Sequence, residues 1–340
     1  MHFTTLRLKQ FRNYPYLELE PSEGITVLYG PNGSGKTNLL EAMHLLSLGR
    51  SHRTTADREM VAQGEAAALV HGETRRLDGR HEIEIRLTPM EKPQKRVLLY
   101  GKPAQRIADL MGHATVVMFS PEDLRIVRDG PAARRRFVDM QLSQIRSGYV
   151  RALKTYLSVL ESRNALLRQD KLQGVSDFAN QLDAWDEQLA NAAVPIVRSR
   201  RWFLQELSEN SSREYAAISE NPDEPFSLFY VGPHRDDVSL QLFGRDLRAM
   251  GSQGQLRTAV LSMKLGEIRL IEKEMGESPT LLLDDVFSEL DAKRRNALFK
   301  SAAPLQTFIT CTDRQDAAGA RADCFLRVTP TPEGTVLSRE

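Results

Sequence analysis

Cysteine is scarce in this sequence: Cys311 and Cys324 are the only two in 340 residues, and no Cys/His cluster has the spacing of a zinc site. So few cysteines exclude the disulfide framework of a small secreted domain and favour a reducing compartment. Long hydrophobic runs are also missing, because none approaches the ~20 residues that cross a bilayer. The N-terminus, MHFTTLRLKQF, alternates apolar and polar residues, unlike a signal peptide. These absences predict a soluble cytoplasmic protein that has no membrane partner.

The sequence has almost no excess of charge of either sign. Its 46 basic and 45 acidic residues leave a net charge of +1. The field of the whole chain is therefore weak, and an anionic partner would have to be bound by a local basic patch. Hydrophobic residues make up 41% and charged residues 27%, as in ordinary globular proteins, and the length allows one large or two modest domains.

The pattern of apolar residues divides the chain into two kinds of region. Residues 1–120 and 226–340 carry short alternating or apolar runs punctuated by Gly and Pro, which predict strands, with helical spacing at 38–48 and 251–275. The pattern of apolar residues changes at residue 121, and the following segment has helical spacing. Pro195 should kink or break the second long helix of this segment. We therefore predict an α/β domain of residues 1–120 and 226–340, with a helical, basic lobe inserted at 121–225.

A phosphate-binding loop is the strongest single motif. GPNGSGKT at 30–37 fits the pattern G-x-x-x-x-G-K-T, follows a predicted strand and opens a predicted helix. Its glycines allow successive backbone N–H groups to surround a phosphate, and the helix N-terminus adds a positive dipole end. We expect Lys36 to reach the β- and γ-phosphates and to act in catalysis, and Thr37 to ligate Mg²⁺. The nucleotide-binding candidates of this loop are Gly30, Pro31, Asn32, Gly33, Ser34, Gly35, Lys36 and Thr37.

A second motif, which is acidic, provides the carboxylates that a phosphate-binding loop needs for its chemistry. LLLDD at 281–285 predicts a buried central strand that delivers two carboxylates at its end. Asp284 is the metal-side candidate, and Asp285 is placed to orient or polarise the attacking water, because phosphoryl transfer depends mostly on positioning and electrostatics. An acidic stretch, SELD at 288–291, follows.

A polar turn far from the phosphate loop opens another helix. GSQGQ at 251–255 has no lysine and cannot bind a nucleotide alone, but it offers a hydroxyl, flexible backbone N–H groups and a helix N-terminus. Such groups suit a γ-phosphate that another element already holds, which makes Ser252, Gly254 and Gln255 binding candidates. The local alternative is a capping box, with Ser252 as N-cap and Gln255 three residues later.

The order of these elements resembles that of the ABC-type ATPases. The resemblance implies an α/β ABC-type P-loop ATPase head, with mixed sheets around the helix of the phosphate loop and an inserted helical lobe. It also makes GSQGQ the signature motif, which completes the nucleotide site of a second subunit. Ser252 and Gly254 of one chain would then face the γ-phosphate held by Lys36 of the other, in a head-to-tail homodimer with two ATP molecules and SELD at its seam.

Four further stretches, together with GSQGQ, narrow the resemblance to the RecF family, which is related to SMC-type heads. FRNY at 11–14, GRSHRT at 49–54, FSPED at 119–123, GPHRDD at 232–237 and GSQGQ at 251–255 carry it. The resemblance implies an ATP-dependent, DNA-binding dimer of the replication, DNA damage, SOS response and recombination machinery. Such a protein works with RecR and RecO to help place RecA on gapped DNA coated by single-strand-binding protein.

Several residues depart from the broad ABC pattern. Gly251 stands where that pattern has Leu, and Asp285 stands where most members have Glu, so its shorter arm predicts slow hydrolysis. No His follows the predicted strand at 307–310, which leaves Thr310 and Thr312 as alternatives for the switch role. Arg12 and Asn13 could approach the nucleotide or be structural, and GPHRDD receives no chemical role.

The inserted lobe concentrates basic residues. Between Arg125 and Lys171 the sequence has eleven Lys or Arg and four Asp or Glu. A solvated helical face explains such a run without a function, whereas a clamp-like dimer would use it to track the phosphates of single-stranded or duplex DNA without reading sequence. The arginines concerned are Arg134, Arg135, Arg136, Arg146, Arg151, Arg163, Arg168, Arg198, Arg200 and Arg201.

Two other classes of protein share parts of the pattern. The ATP-binding subunit of an ABC transporter has the phosphate loop and the signature, but FRNY, the missing switch His and the basic lobe disfavour it. A long SMC-like architectural protein separates its half-heads by hundreds of heptad residues, and only about 100 residues without sustained heptads intervene here.

Overall fold

A computed structural model describes residues 1–88, 94–174, 176–219, 223–231 and 237–339, with the side chains of Ser147, Ser288 and Glu289 left aside. Across these ranges, no helix combines the length and the apolar character that crossing a membrane requires.

A six-stranded sheet lies at the centre of the molecule, in the order β15-β14-β3-β13-β12-β8. Neighbouring strands run parallel, except that β15 pairs antiparallel with β14 at one edge of the sheet. Continuous apolar runs such as Leu281–Leu283 are wholly buried, as expected of a parallel sheet covered on both faces. The strands are β3 (Ile25–Tyr29), β8 (Val116–Phe119), β12 (Thr280–Asp284), β13 (Thr307–Cys311), β14 (Cys324–Thr331) and β15 (Gly334–Arg339).

A second, antiparallel sheet of six strands covers one side of the first helix, in the order β2-β1-β4-β5-β6-β7. Buried residues of this sheet, of α1 and of the central sheet belong to one hydrophobic cluster, so α1 lies between two sheets. At Gly72 a Cβ atom would lie 2.5 Å from Leu46 Cδ1, which shows how closely the helix packs. The elements are β1 (His2–Phe11), β2 (Tyr14–Leu19), β4 (Ala68–Arg76), β5 (Gly79–Thr88), β6 (Gln94–Leu99), β7 (Lys102–Pro103) and α1 (Lys36–Leu48).

Helices and a small sheet form the rest of the molecule. The three-stranded sheet has the order β11-β10-β9 and packs against the longest helix. Its strands are β9 (Phe226–Val231), β10 (Asp237–Leu242) and β11 (Arg245–Asp246). The helices are α2 (Arg125–Arg128), α3 (Pro131–Ile145), α4 (Ser147–Gln173), α5 (Phe178–Ile218), α6 (Leu247–Met250), α7 (Gln253–Met275) and α8 (Ala292–Ala302).

The long helix α5 runs through Pro195 without a break. The lost backbone donor leaves the carbonyl of residue 191 without its usual partner, but that residue is exposed to water. Directly after Pro195, the side chains of Ile196, Phe203 and Leu207 are buried in the larger hydrophobic cluster. This burial outweighs the cost of the proline, so the expected break does not occur.

Most predicted elements are confirmed, with longer strands than the apolar patterns indicated. The helix expected at 251–275 is α7, and the C-terminal residues form an edge strand. Gly49 ends α1 in the left-handed conformation, with φ 66°. The mixed central sheet, with helices packed on it, confirms the predicted α/β class, whereas the division into two lobes stays a prediction.

Candidate nucleotide and dimer site

The phosphate loop connects β3 to α1 at the carboxyl end of the central sheet. Gly30, Gly33 and Gly35 have φ values of 153°, 78° and 109°, a region that strongly favours glycine. At Gly30 an added Cβ atom would also lie 2.3 Å from the carbonyl oxygen of Val328. Both the backbone conformation and the neighbouring strand therefore require glycines in this loop.

Three side chains hold the loop from outside. Asn13 Nδ2 donates to Ser34 O (3.2 Å), Thr335 Oγ1 donates to the same carbonyl (2.7 Å), and Tyr14 Oη donates to Gly35 O (3.0 Å). These contacts place Asn13 as a support of the loop. The strand that carries Thr335 has no motif, so no sequence signal could have identified it.

The buried carboxylate of Glu41, on α1, ties two further motifs to the helix. Arg12 Nε and Nη2 donate to its two oxygens, at 2.8 and 2.6 Å. Ser51 Oγ also donates to Glu41, and Arg53 Nη1 lies 3.8 Å from it. FRNY and GRSHRT thus share one structural role, since both fix the helix that begins in the phosphate loop.

The side chain of Lys36 folds back over the loop. Its Nζ atom donates to Gly30 O (2.6 Å) and Pro31 O (2.9 Å). Burial lowers the pKa of Lys36, while Asp285, Cys311 and Asp284 act in the opposite direction. Ser34 Oγ is buried and has no hydrogen-bond partner among the described residues. A buried hydroxyl without a partner beside a buried ammonium fits an anionic group such as a phosphate.

The carboxylate of Asp284 meets the start of α1. Its Oδ1 atom accepts hydrogen bonds from Thr37 Oγ1 and Thr310 Oγ1, both at 2.8 Å. Thr310 Oγ1 in turn accepts from the backbone N–H of Asp285 (2.9 Å), which adopts the left-handed conformation with φ 50°. A hydroxyl and a carboxylate at this distance suit a hard cation such as Mg²⁺, which prefers oxygen ligands.

The two threonines left open as switch candidates have different surroundings. Thr310 is 1% exposed, and both of its hydrogen bonds serve Asp284 and Asp285. Thr312 is exposed and its Oγ1 atom lies 3.4 Å from Asn32 Oδ1, at the tip of the phosphate loop. Thr312 is therefore the one that borders the phosphate loop.

The predicted capping box at the start of α7 is confirmed. Ser252 Oγ accepts from the backbone N–H of Gln255 (3.2 Å), and Gln255 Oε1 accepts from the N–H of Ser252 (2.9 Å). Gln255 Nε2 also donates to Glu224 Oε1 (3.1 Å). Within the described part of the chain, Ser252, Gly254 and Gln255 form no hydrogen bond with the phosphate loop. The structure therefore brings the phosphate loop together with Asp284 and Asp285, whereas the signature turn, residues 251–255, is not joined to that loop by a hydrogen bond between described residues.

Two of the candidate DNA arginines are structural. Arg134 is 6% exposed and donates to both carboxylate oxygens of Asp237, at 2.7 and 3.0 Å. Arg200 is 8% exposed and donates to Asp139 (2.7 Å) and to Tyr149 Oη (3.0 Å). Their inclusion in a DNA-binding face was wrong, because composition alone does not separate an arginine that pairs within the fold from one that faces solvent.

Two motifs lie partly outside the described residues. Of GPHRDD, residues 232–236 are not described, and Asp237 is the partner of Arg134. Of SELD, Leu290 is buried and Asp291 caps α8 by accepting from the backbone N–H of Arg294 (2.9 Å).

Comparison with known proteins agrees with this geometry. The family model "RecF/RecN/SMC N terminal domain" matches residues 2–336. The DNA replication and repair protein RecF of Symbiobacterium thermophilum is 38% identical, with 99% of this chain and 98% of that protein aligned. RecF of Acetivibrio thermocellus is 37% identical over 93% of this chain and 94% of that protein.

Solved structures agree as well. The recombination mediator protein RecF with ATP, from the RecFOR pathway, matches with a TM-score of 0.90 and 32% identity, over 100% of this chain and 97% of that one. An Smc head bound to the C-terminal winged-helix domain of ScpA matches with a TM-score of 0.64 at 17% identity, which shows the ABC-type head fold alone. The chain belongs to the RecF family of ABC-type, SMC-like ATPases.

Proposed function

We propose that this protein is an ATP-dependent DNA-binding protein of gap repair and recombination, which dimerises head to tail around ATP and hydrolyses it slowly. The observation that carries the proposal is the separation of two complementary half-sites in one chain. The phosphate loop and the two aspartates form one half, and the signature turn forms the other; among the described residues, no hydrogen bond joins this turn to the phosphate loop. The names of the RecF relatives, DNA replication and repair protein and recombination mediator, support the biological setting.

In the first half-site, the backbone N–H groups of residues 32–37 and the ammonium of Lys36 bind the phosphates of ATP. The buried hydroxyl of Ser34 supports this assignment, because an anion would give it a partner. Thr37 and Asp284 would hold Mg²⁺, whose charge, when bound, stabilises the developing negative charge on the phosphate oxygens.

Hydrolysis requires a carboxylate that orients water. Asp285 takes this role, since its backbone N–H is fixed by Thr310 and its side chain leaves the strand end beside Asp284. Its side chain is one methylene shorter than that of Glu, so we propose slow turnover. Thr312, next to Asn32, takes the switch position that faces the loop.

In the second half-site, Ser252 Oγ, the backbone at Gly254 and the helix N-terminus meet the γ-phosphate held by Lys36 of the partner copy. ATP bound between two copies stabilises the dimer but not the monomer, and hydrolysis removes that stabilisation. Nucleotide state would thereby control whether two helical lobes, each at 121–225, close on DNA.

The partners are proposed at two levels of detail. DNA, single-stranded or duplex and with gaps or junctions, binds through basic side chains of the helical lobe. RecR and RecO, and RecA indirectly, follow from the RecFOR pathway to which the solved RecF belongs.

Sedimentation velocity with the Asp285→Asn variant tests the dimer. We expect this variant to bind ATP and to dimerise with ATP–Mg²⁺, because the amide keeps the size of the side chain, but to release no phosphate. The control is the wild-type chain without nucleotide, which should stay monomeric. A variant that remains monomeric at saturating ATP would disprove the shared site.

The salt dependence of DNA binding tests the helical lobe. Arg151 and Arg168 on α4 are exposed and form no ion pair with a described residue, whereas Arg163 on the same helix pairs with Asp186. We expect the double variant Arg151→Ala/Arg168→Ala to reduce the slope of log Kd against log salt by roughly two, at about 0.9 per phosphate contact. Arg163→Ala is the matched control with a smaller effect. An unchanged slope in the double variant would remove α4 from the DNA-binding surface.

A further inference from the structure

Arg294, on α8, is the residue around which the signature turn is built. Its Nη2 atom donates to Gly254 O (3.0 Å), its Nε atom donates to Thr258 Oγ1 (2.8 Å), and its Nη1 atom donates to Asp291. Thr258 Oγ1 itself donates to Gly254 O (2.9 Å). One guanidinium thus connects the turn, the second turn of α7 and the last residue of SELD.

Close packing at Gly254 follows from this arrangement. A Cβ atom at Gly254 would lie 3.3 Å from Arg294 Nη2, a tight contact, so the backbone of the turn lies close against the guanidinium. Arg294 also lines an open cleft of about 190 Å³ together with Ser252 and Gly254. Its side chain is 21% exposed, which leaves it at the surface but in fixed contact with the turn.

A separate set of contacts holds the opposite side of the turn. Glu224 Oε1 accepts from Gln255 Nε2 (3.1 Å), and Glu224 Oε2 accepts from the hydroxyl of Tyr215 on α5 (3.1 Å). These contacts attach the turn to the long helix. Those of Arg294 attach it to α8, which lies a few residues after Asp284 and Asp285 in the chain.

We infer that Arg294 is a positioning residue that holds the signature turn in the conformation with which it completes the partner's nucleotide site. The inference rests on the proposed head-to-tail dimer. A planar guanidinium presents N–H donors on three nitrogens in a fixed fork and can hold three separated acceptors in one arrangement, whereas the three donors of an ammonium share one nitrogen at the end of a flexible chain. Without it, the carbonyl of Gly254 and the hydroxyl of Thr258 lose their common donor, and the backbone N–H groups of the turn lose their fixed direction.

Sedimentation velocity with an ATP analogue that is not hydrolysed tests the inference. Arg294→Ala should raise the dissociation constant of the nucleotide-dependent dimer at least about tenfold, the loss of one charge-assisted hydrogen bond. Arg294→Lys should lie between Arg294→Ala and the wild type. Lys300→Ala, an exposed change on the same helix, is the matched control and should dimerise as the wild type does.

Two readouts separate positioning from a general loss of structure. The affinity of the monomer for the nucleotide should change by less than about twofold, because Arg294 does not touch the phosphate loop. The melting temperature should stay within about 3 °C, since the side chain is partly exposed. If Arg294→Ala does not fold, Arg294→Lys and the isosteric Thr258→Val, which removes the bridging hydroxyl, decide the matter by the same dimer assay.

The outcomes distinguish this inference from the proposed function. Equal dimer formation by Arg294→Ala and the wild type would overturn the role of Arg294 and leave the shared site intact. A wild-type chain that does not dimerise with the analogue would overturn both. The inference is supported if Arg294→Ala dimerises more weakly while its monomer binds the nucleotide as the wild type does, and if Arg294→Lys restores part of the dimerisation.

Discussion

The two half-sites of this chain are built differently. Lys36, Ser34 and Thr310, around the phosphate loop, are 8% exposed or less, and buried side chains brace the loop from outside. The signature turn is held by partly or fully exposed side chains, Ser252, Gln255 and Arg294, at a helix N-terminus. A buried, braced loop can be complete in a single chain, whereas an exposed turn gains its function from a surface that meets it. The difference agrees with the proposed dimer, in which one half-site would be formed by folding and the other by association.

The largest expected effect is on the ATP affinity of the monomer, which should depend on the phosphate loop and not on the signature turn. Lys36→Ala should weaken ATP binding by about 100-fold or more. The variant loses the proposed charge-assisted hydrogen bonds of the ammonium to the β- and γ-phosphates, which contribute about 1.5 kcal/mol each. Ser252→Arg should leave the ATP affinity of the monomer unchanged but abolish the dimer, because the bulky side chain occupies the surface that meets the partner. Titration of a fluorescent ATP analogue at low protein concentration, followed by sedimentation, measures both. A loss of monomer affinity in Ser252→Arg would show that the turn already contributes to its own chain's site.

The next largest effect is on the rate of ATP hydrolysis and concerns Thr310, in the half-site of the phosphate loop. Thr310→Val removes the hydroxyl that fixes both Asp284 and the backbone of Asp285. We expect turnover to fall by about 10- to 100-fold, the cost of misplacing a catalytic group, with ATP binding and dimerisation preserved. Thr310→Ser keeps the hydroxyl and should retain most activity. Single-turnover phosphate release measures the rate, and an unaltered rate in Thr310→Val would show that Asp285 does not depend on this contact.

The smallest effect compares the stability of the two halves. Asn13→Ala removes a side chain whose amide joins Ser34 O, Thr335 Oγ1 and Asn38 Nδ2, and should lower the free energy of unfolding by about 1–3 kcal/mol. Gln255→Ala removes half of an exposed capping box and should cost about 1 kcal/mol or less. Urea denaturation of both variants gives the comparison. A larger loss for Gln255→Ala would mean that the signature turn is part of the folded core rather than a surface for a partner.

Much of the site could be predicted because its motifs are contiguous in the sequence. The phosphate loop, the strand ending in Asp284 and Asp285, and the cap formed by Ser252 and Gln255 each follow from a local pattern whose physics is local. The braces of these motifs could not be predicted. Thr335 reaches Ser34 across 301 residues, and Arg294 reaches Gly254 across 40, and neither lies in a pattern that demands that partner.

The basic lobe shows the limit of composition. The basic residues of the inserted lobe predict a positive surface, yet Arg134 and, further along the chain, Arg200 are buried in ion pairs with Asp237 and Asp139. A buried charge requires a partner, and here the partner of Arg134 lies on strand β10 and that of Arg200 on helix α3. Only the folded chain reveals which arginines remain in water.

Local sequence patterns are enough to predict the phosphate loop, the carboxylates that follow a buried strand and the helix cap of the signature turn, because each depends on backbone geometry over a few consecutive residues. Three features depend on the tertiary structure: which side chains hold these elements in place, which threonine serves the aspartates and which borders the loop, and that no hydrogen bond between described residues joins the signature turn to its own chain's loop. Those outcomes depend on how sheets and helices pack, and packing brings together residues whose separation in the sequence carries no signal.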